Sequence, residues 1–102
     1  DSWANRVAVW RFVRDIPLSS SHSSMALLTD IEDKLKHFQN HSVTACWGGK
    51  DFCFNHEYLR KWNNTFPEME TNLYSEAGHY VLEDAGKEAI QAIGDALRNV
   101  ET

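Results

Sequence analysis

An aspartate and a histidine, each placed just after a short glycine-containing turn, are the residues of this sequence best suited to chemistry. Asp51 follows Gly48 and Gly49 by a few positions, and His79 directly follows Gly78. A carboxylate that accepts a hydrogen bond from an imidazole N–H fixes the tautomer of the ring and stabilises the imidazolium formed in general-base catalysis. The two residues therefore indicate an acid–base pair, provided that the fold brings them together.

Two predicted strands precede these turns. Residues 42–47 are short, continuous and β-branched, which is typical of a buried strand in a parallel sheet, and residues 71–75 form the second strand. Between them, residues 55–64 are predicted to form a helix. Its inward-facing side chains are expected to be Tyr58, Leu59 and Trp62. Strand, helix and strand make a parallel crossover, and reactive residues of open parallel sheets gather at the carboxyl ends of the strands. We therefore expect Asp51 and His79 to meet at one edge of the sheet.

Three more helices are predicted from the spacing of apolar residues. The first runs from Trp3 to Arg14, the second from Met25 to about Phe38, and the last from Asp84, a good N-cap, to about Val100. The apolar faces of the first and last helices are predicted to comprise Trp3, Val7, Trp10 and Val13, and Ile90, Ile93, Leu97 and Val100, respectively. Core positions are expected for the tryptophans Trp3, Trp10, Trp47 and Trp62.

The order helix, helix, strand, helix, strand, helix predicts an α/β fold with an incomplete sheet. Two parallel strands leave both edges unpaired and bury too little area to hold several helices. The glycines at the strand exits, Gly48, Gly49 and Gly78, are expected to allow backbone angles that side chains resist. The missing strands are expected to come from a remaining N-terminal segment or from a second copy of the chain.

Composition narrows the possible functions further. The formal net charge is −5 over 102 residues, and the basic residues are scattered, which argues against nucleic-acid and anionic-membrane binding. No apolar run approaches the ~20 residues of a membrane span, and no signal pattern is present, so we expect a cytoplasmic protein. The histidines and cysteines lack metal-ligand spacing, and no cofactor or metal is expected. For Cys46 and Cys53, free thiols are the first interpretation and a disulfide the alternative.

Several stretches together resemble one family. Residues 47–52, 66–67 and 77–84 (Trp-Gly-Gly-Lys-Asp-Phe, Phe-Pro and Ala-Gly-His-Tyr-Val-Leu-Glu-Asp) resemble the C-terminal part of the haloalkane-dehalogenase-like α/β-hydrolases. That group includes related epoxide hydrolases and the β-lactone decarboxylases of bacterial olefin synthesis. Residues 5–8 and 12–18 resemble the helix that follows the cap domain, most closely in the olefin-pathway branch.

The resemblance covers nearly the whole of residues 1–102 and implies a C-terminal hydrolase segment. Residues 1–18 would be the helix after the cap, residues 24–40 the next helix, and residues 42–102 the last two strands with their helices. Asp51 matches the triad acid and His79 the triad base. The family nucleophile would be an aspartate on a tight elbow, giving an ester that a His-activated water hydrolyses. None of the glycines brackets a Ser or Asp in that way.

Four functional interpretations follow. The first is the C-terminal part of a haloalkane-dehalogenase-like enzyme that hydrolyses a small apolar substrate at carbon through an aspartyl ester. The second is a β-lactone decarboxylase or epoxide hydrolase of the same superfamily. The third is an inactive, truncated homologue that associates with itself; it is motivated by the missing initiator methionine, the missing nucleophile and the small sheet. The last is a protein-interaction module unrelated to hydrolases.

Overall fold

The computed structural model describes residues 2–100, except for the side chain of Val100. It contains two compact units, one ending at Lys34 and the other beginning at Leu35. In chain order the elements are α1 (Trp3–Arg14), α2 (Met25–Lys34), a 3₁₀ turn (Leu35–Phe38), β1 (Thr44–Gly48), α3 (His56–Thr65), β2 (Glu70–Tyr74), α4 (Val81–Asp84) and α5 (Gly86–Val100). No helix within residues 2–100 has the length and apolar character needed to cross a membrane.

The first unit consists of α1 and α2. Ser2 caps α1 by accepting a hydrogen bond from the Asn5 backbone N–H, and the basic side chains of Arg11 and Arg14 lie in its last turn, where the helix dipole favours them. The bounds of α1 agree with the prediction. The second helix is shorter than predicted, because regular α-helix ends at Lys34 and the chain tightens into the 3₁₀ turn.

The apolar face of α1 is exposed, so the prediction that its tryptophans are core residues is wrong. Trp3 is 78% exposed and Trp10 56%, and the guanidinium of Arg14 lies 4.9 Å from the Trp10 ring centre. The buried apolar side chains of the described chain are Leu59, Phe66, Ala77, Ala85 and Ala89. All of these residues belong to the second unit, and neither α1 nor α2 has a buried residue.

The second unit is built on a parallel pair of strands. β1 pairs with β2 in a register that runs from Thr44 opposite Glu70 to Gly48 opposite Tyr74, and the described sheet has two strands. The strands lie within one or two residues of their predicted positions. This arrangement confirms an α/β chain with parallel strands and an incomplete sheet.

The connecting helix α3 starts where the sequence indicates. Asn55 caps it by accepting a hydrogen bond from the Glu57 N–H. Of the three predicted inward side chains only Leu59 is buried, whereas Tyr58 and Trp62 are 44% and 40% exposed. The prediction is therefore wrong for the two aromatic residues, whose rings instead contact Phe54 and Phe66, respectively.

The C-terminal region differs from the prediction at its start and in its packing face. Asp84 is the last residue of the short α4 rather than the N-cap of α5. The residues buried here are Ala85 and Ala89, because small side chains let the backbone of the helix come close to the strands. The predicted apolar face is exposed at Ile90, Ile93 and Leu97, and the side chain of Val100 lies outside the described part.

Candidate active site

Asp51 and His79 meet beyond the carboxyl ends of β1 and β2. The Nδ1 atom of His79 lies 3.1 Å from both carboxylate oxygens of Asp51. The Asp51 side chain is 8% exposed, whereas that of His79 is 32% exposed. The structure thus brings together the two residues that the sequence singled out, with the acid shielded and the imidazole open to solvent. Their catalytic roles remain a prediction.

The glycines at the strand exits permit close backbone approach rather than unusual backbone angles. None of the described glycines has a positive φ, so the predicted reason for them is wrong. A Cβ atom on Gly48 would lie 2.1 Å from the carbonyl oxygen of Gly78, and one on Gly49 would lie 2.8 Å from Cα of Ser75. The chain segments that follow the two strands are therefore in direct backbone contact, which places the acid next to the base.

Backbone hydrogen bonds join the two exit segments. The Gly49 N–H donates to the Tyr74 carbonyl at 2.8 Å, and the Lys50 N–H donates to the Ala77 carbonyl at 2.9 Å. The Lys50 ammonium also forms an ion pair with the Glu76 carboxylate. These contacts fix the position of the chain segment that carries Asp51 relative to the segment that carries His79.

The loop after Asp51 folds back onto the carboxylate. Oδ1 of Asp51 accepts hydrogen bonds from the backbone N–H groups of Cys53 and Phe54, each at 2.8 Å. The indole Nε1–H of Trp47 donates to the Phe54 carbonyl at 2.8 Å and so anchors the same loop from the strand. Sequence reasoning did not identify Trp47 as a partner of this loop, since only the folded loop brings the Phe54 carbonyl to the indole.

This environment keeps Asp51 ionised. Burial alone would raise the pKa of Asp51, but the N–H of Phe54, the His79 imidazole and the N–H of Cys53 together lower it below its usual value of 3.8. An ionised carboxylate can only accept hydrogen bonds, so Nδ1 of His79 must carry the shared proton. Nε2 is then the nitrogen left to exchange a proton with a substrate or a water molecule.

Asp84 supports the turn that carries His79. Its Oδ2 accepts a hydrogen bond from the Gly78 backbone N–H at 2.7 Å. From the sequence, Asp84 is predicted to be a helix N-cap, and this contact with Gly78 is not predicted. The separation of six residues between Gly78 and Asp84 gives little indication of this hydrogen bond. An acidic side chain at that distance can accept a hydrogen bond from several different backbone N–H groups.

Three aromatic rings surround the imidazole. The ring centres of Phe52, Phe54 and Tyr80 lie 6.0, 5.4 and 5.5 Å from that of His79. Phe52 and Tyr80 are 85% and 70% exposed. The open side of His79 is therefore bordered by apolar surface, which suits an apolar substrate better than a charged one.

The two cysteines are free thiols, in agreement with the first interpretation of the sequence. Cys53 is exposed, and the Sγ of Cys46 lies 3.8 Å from the Tyr74 hydroxyl between the strands. Burial raises the pKa of Tyr74, and the contact with Cys46 acts in the same direction. Among residues 2–100, no three His, Cys, Asp or Glu side chains are grouped so that they could hold a metal ion.

Comparison with known proteins identifies two relatives. The chain is 38% identical, over all 102 of its residues, to a protein of Shewanella oneidensis named cis-3-alkyl-4-alkyloxetan-2-one decarboxylase, covering 32% of that protein. It is 34% identical over 93 residues (91% of the chain) to a protein of the same name from Xanthomonas campestris pv. campestris, covering 31% of it. The chain spans about a third of the length of these curated relatives.

Two other comparisons give no match. No protein-family model matches the chain, and no solved structure matches it significantly. The parallel strands, the paired Asp51 and His79, and the two relatives are nevertheless consistent with one another. The chain is similar to about a third of two oxetan-2-one decarboxylases, which fits the α/β-hydrolase family and the β-lactone decarboxylase branch suggested by its motifs.

Proposed function

We propose that this chain supplies the acid–base pair of an enzyme that decarboxylates cis-3-alkyl-4-alkyloxetan-2-ones. One observation carries the proposal: His79 Nδ1 lies 3.1 Å from both carboxylate oxygens of Asp51, in a chain similar over its whole length to a protein named for that activity. Asp51 would orient the imidazole and stabilise its protonated form, and His79 would exchange a proton through Nε2.

The proposed reaction needs neither water nor a cofactor. An oxetan-2-one is a four-membered lactone, and its decarboxylation gives an alkene and CO2. A carboxylate nucleophile from the rest of the enzyme would attack C4, forming an ester and breaking the ring C–O bond. His79 would enter this step as the imidazolium, lend its Nε2 proton to the freed carboxylate and recover it before CO2 leaves. The electrons of the broken C3–carboxyl bond then form the alkene and expel the enzyme carboxylate.

Hydrolysis is the runner-up, because the same pair could serve it. In a dehalogenase-like or epoxide-hydrolase-like reaction, His79 Nε2 would instead remove a proton from a water molecule that cleaves the ester intermediate. The product would then be an alcohol or a diol rather than an alkene. The names of the two relatives favour decarboxylation.

A chimeric enzyme tests the proposal directly. In this chimera, the 102-residue chain replaces the matching third of the Shewanella oneidensis relative. It is supplied with a cis-3-alkyl-4-alkyloxetan-2-one, and the alkene is measured by gas chromatography. We expect alkene formation, and we expect Asp51→Asn or His79→Gln to lower kcat by about a hundredfold or more. The matched control is His56→Gln, which changes an exposed histidine at the start of α3 and should leave kcat unchanged.

Other outcomes would separate the alternatives. Formation of a hydroxy acid, or release of halide from a haloalkane without alkene formation from the lactone, would favour hydrolysis. A folded chimera with no activity on lactone, haloalkane or epoxide would favour the inactive homologue. Full activity of the His79→Gln chimera would overturn the acid–base pair altogether.

We also propose that the rest of an α/β domain, rather than a second copy, covers the apolar surface of this chain. The support is the share of the relatives that the chain spans, about a third, together with the exposure of Ile90, Ile93 and Leu97 on α5. The isolated chain should then associate in analytical ultracentrifugation while the chimera stays monodisperse. A chimera that associates as strongly as the isolated chain would instead favour a second copy, and a compact monomer of the isolated chain would contradict the self-associating homologue.

A further inference from the structure

We propose that Asp84 is a positioning residue for His79, an inference that rests on the proposed function of His79 as the base. The imidazole has Asp51, and not Asp84, as its carboxylate partner. The Asp84 carboxylate accepts the Gly78 backbone N–H at 2.7 Å and so holds the peptide that leads directly into His79.

The contact is well suited to fixing a turn. A hydrogen bond from a backbone N–H to a carboxylate is charge-assisted and stronger than a bond between neutral groups. On the other side of the same turn, the Ala77 carbonyl accepts the N–H of Lys50 at 2.9 Å, and Ala77 is 3% exposed. The turn is therefore held from the β1 side through Ala77 and from the α4 side through Asp84.

Position along the chain makes this support specific to the base. Asp84 is the last residue of α4, the short helix that begins two residues after His79. Its hydrogen bond to Gly78 therefore joins the end of this helix to the turn that precedes His79. The Asp51 carboxylate accepts hydrogen bonds from a different set of groups, the backbone N–H groups of Cys53 and Phe54. The acid and the base are thus held by separate sets of hydrogen bonds. Loss of the Asp84 bond should let His79 move relative to a fixed Asp51.

A comparison of variants in the chimera tests the inference. Asp84→Ala removes the acceptor and should lower kcat for alkene formation about tenfold, with KM changed less than about twofold, because the alignment of the base is lost and not the binding of substrate. Asp84→Asn keeps an oxygen that can accept the Gly78 N–H and should recover kcat to within about threefold of the parent chimera. The matched control is Glu83→Ala, which removes the neighbouring exposed carboxylate of α4 and should change neither constant.

A substitution at Gly78 tests the same hydrogen bond without changing Asp84. A Cβ atom on Gly78 would lie 3.3 Å from Oδ2 of Asp84, so Gly78→Ala crowds the carboxylate while the N–H remains. We expect a loss of kcat in the same direction, and we expect the double variant Gly78→Ala/Asp84→Ala to lose less than the product of the two single effects. If Asp84→Ala does not fold, the Gly78→Ala single variant decides the question, and an unchanged kcat in that variant would reject the inference.

The results that would overturn the inference differ from those that overturn the proposed function. An active chimera in which Asp84→Ala has the same kcat as Glu83→Ala, even with a lower unfolding temperature, would show that Asp84 is only structural. Equal losses in Asp84→Asn and Asp84→Ala would also reject a role through the Gly78 hydrogen bond. A parent chimera that forms no alkene rejects the proposed function, and the inference with it.

Discussion

The indole of Trp47 and the backbone of Phe54 hold the loop that carries the acid. The Nε1–H of Trp47 donates to the Phe54 carbonyl at 2.8 Å, while the Phe54 N–H donates to Oδ1 of Asp51 at the same distance. One backbone segment is thus tied to the strand at one end and to the carboxylate at the other. A strand residue four positions before Asp51 therefore controls the geometry around that carboxylate.

Replacing Trp47 by Phe should loosen this loop. The change removes the indole donor but keeps an aromatic ring, so we expect a loss of about 1 kcal/mol of unfolding free energy, the usual value of one hydrogen bond. We also expect kcat of the chimera to fall about threefold to tenfold. Urea denaturation and steady-state kinetics measure the two effects. The control is Trp62→Phe, whose ring can still stack on Phe66; equal effects at both positions would contradict the role of the Trp47 hydrogen bond.

Replacing Gly48 by Ala should be strongly unfavourable. The new Cβ would lie 2.1 Å from the Gly78 carbonyl oxygen and 2.8 Å from that of Ala77, and neither backbone atom can move without separating the two exit segments. We expect a cost of about 3 kcal/mol or more in unfolding free energy, at the upper end for overpacking. Urea denaturation of the chimera measures it.

The control for that substitution is Gly86→Ala. A Cβ on Gly86 meets nothing within 4 Å at the start of α5, so this variant should be neutral or gain about 0.5 kcal/mol from reduced chain entropy. A Gly48→Ala variant as stable as Gly86→Ala would show that the two exit segments are not in the close contact described.

The stability contributed by Asp51 should depend on pH in the acid range. Its pKa is lower in the folded chain than its usual value of 3.8, so ionised Asp51 stabilises the fold above pH 3.8, and this contribution is lost as the pH falls through the lower, folded-state pKa. Asp51→Asn should therefore reduce stability near neutral pH, and its difference from the parent chimera should shrink as the pH falls below 3.8. Urea midpoints across that range measure the change. Asp33→Asn, on the exposed surface of α2, serves as the control, and a pH-independent difference for Asp51→Asn would refute the expectation.

The two thiols should react at different rates. Cys53 is exposed, whereas Cys46 is partly buried and lies 3.8 Å from the Tyr74 hydroxyl, so a thiol reagent should label Cys53 first. We expect two reactive thiols per isolated chain without reductant, in a fast and a slow phase. Cys53→Ser should remove the fast phase and Cys46→Ser the slow one. A chain with no titratable thiol would instead indicate a disulfide.

The sequence by itself determined the bounds of α1, α3 and the two strands and the identity of the candidate pair. Apolar spacing predicted α1 and placed α3, β1 and β2 within one or two residues of their bounds, because these patterns depend on residues that are neighbours along the chain. The crossover order of strand, helix and strand also predicted that Asp51 and His79 would meet, since parallel strands end at the same edge of a sheet.

The tertiary structure decided what distant residues do for one another. Close approach of backbones explains Gly48, and the Gly78 N–H, not a helix terminus, is the partner of Asp84. The C-terminal region packs through Ala85 and Ala89 and not through Ile90, Ile93 and Leu97, and this choice likewise depends on how near the helix comes to the strands. The physical reason is common to all three cases: periodicity reports which side of an element is apolar, whereas distances between elements depend on every side chain packed between them.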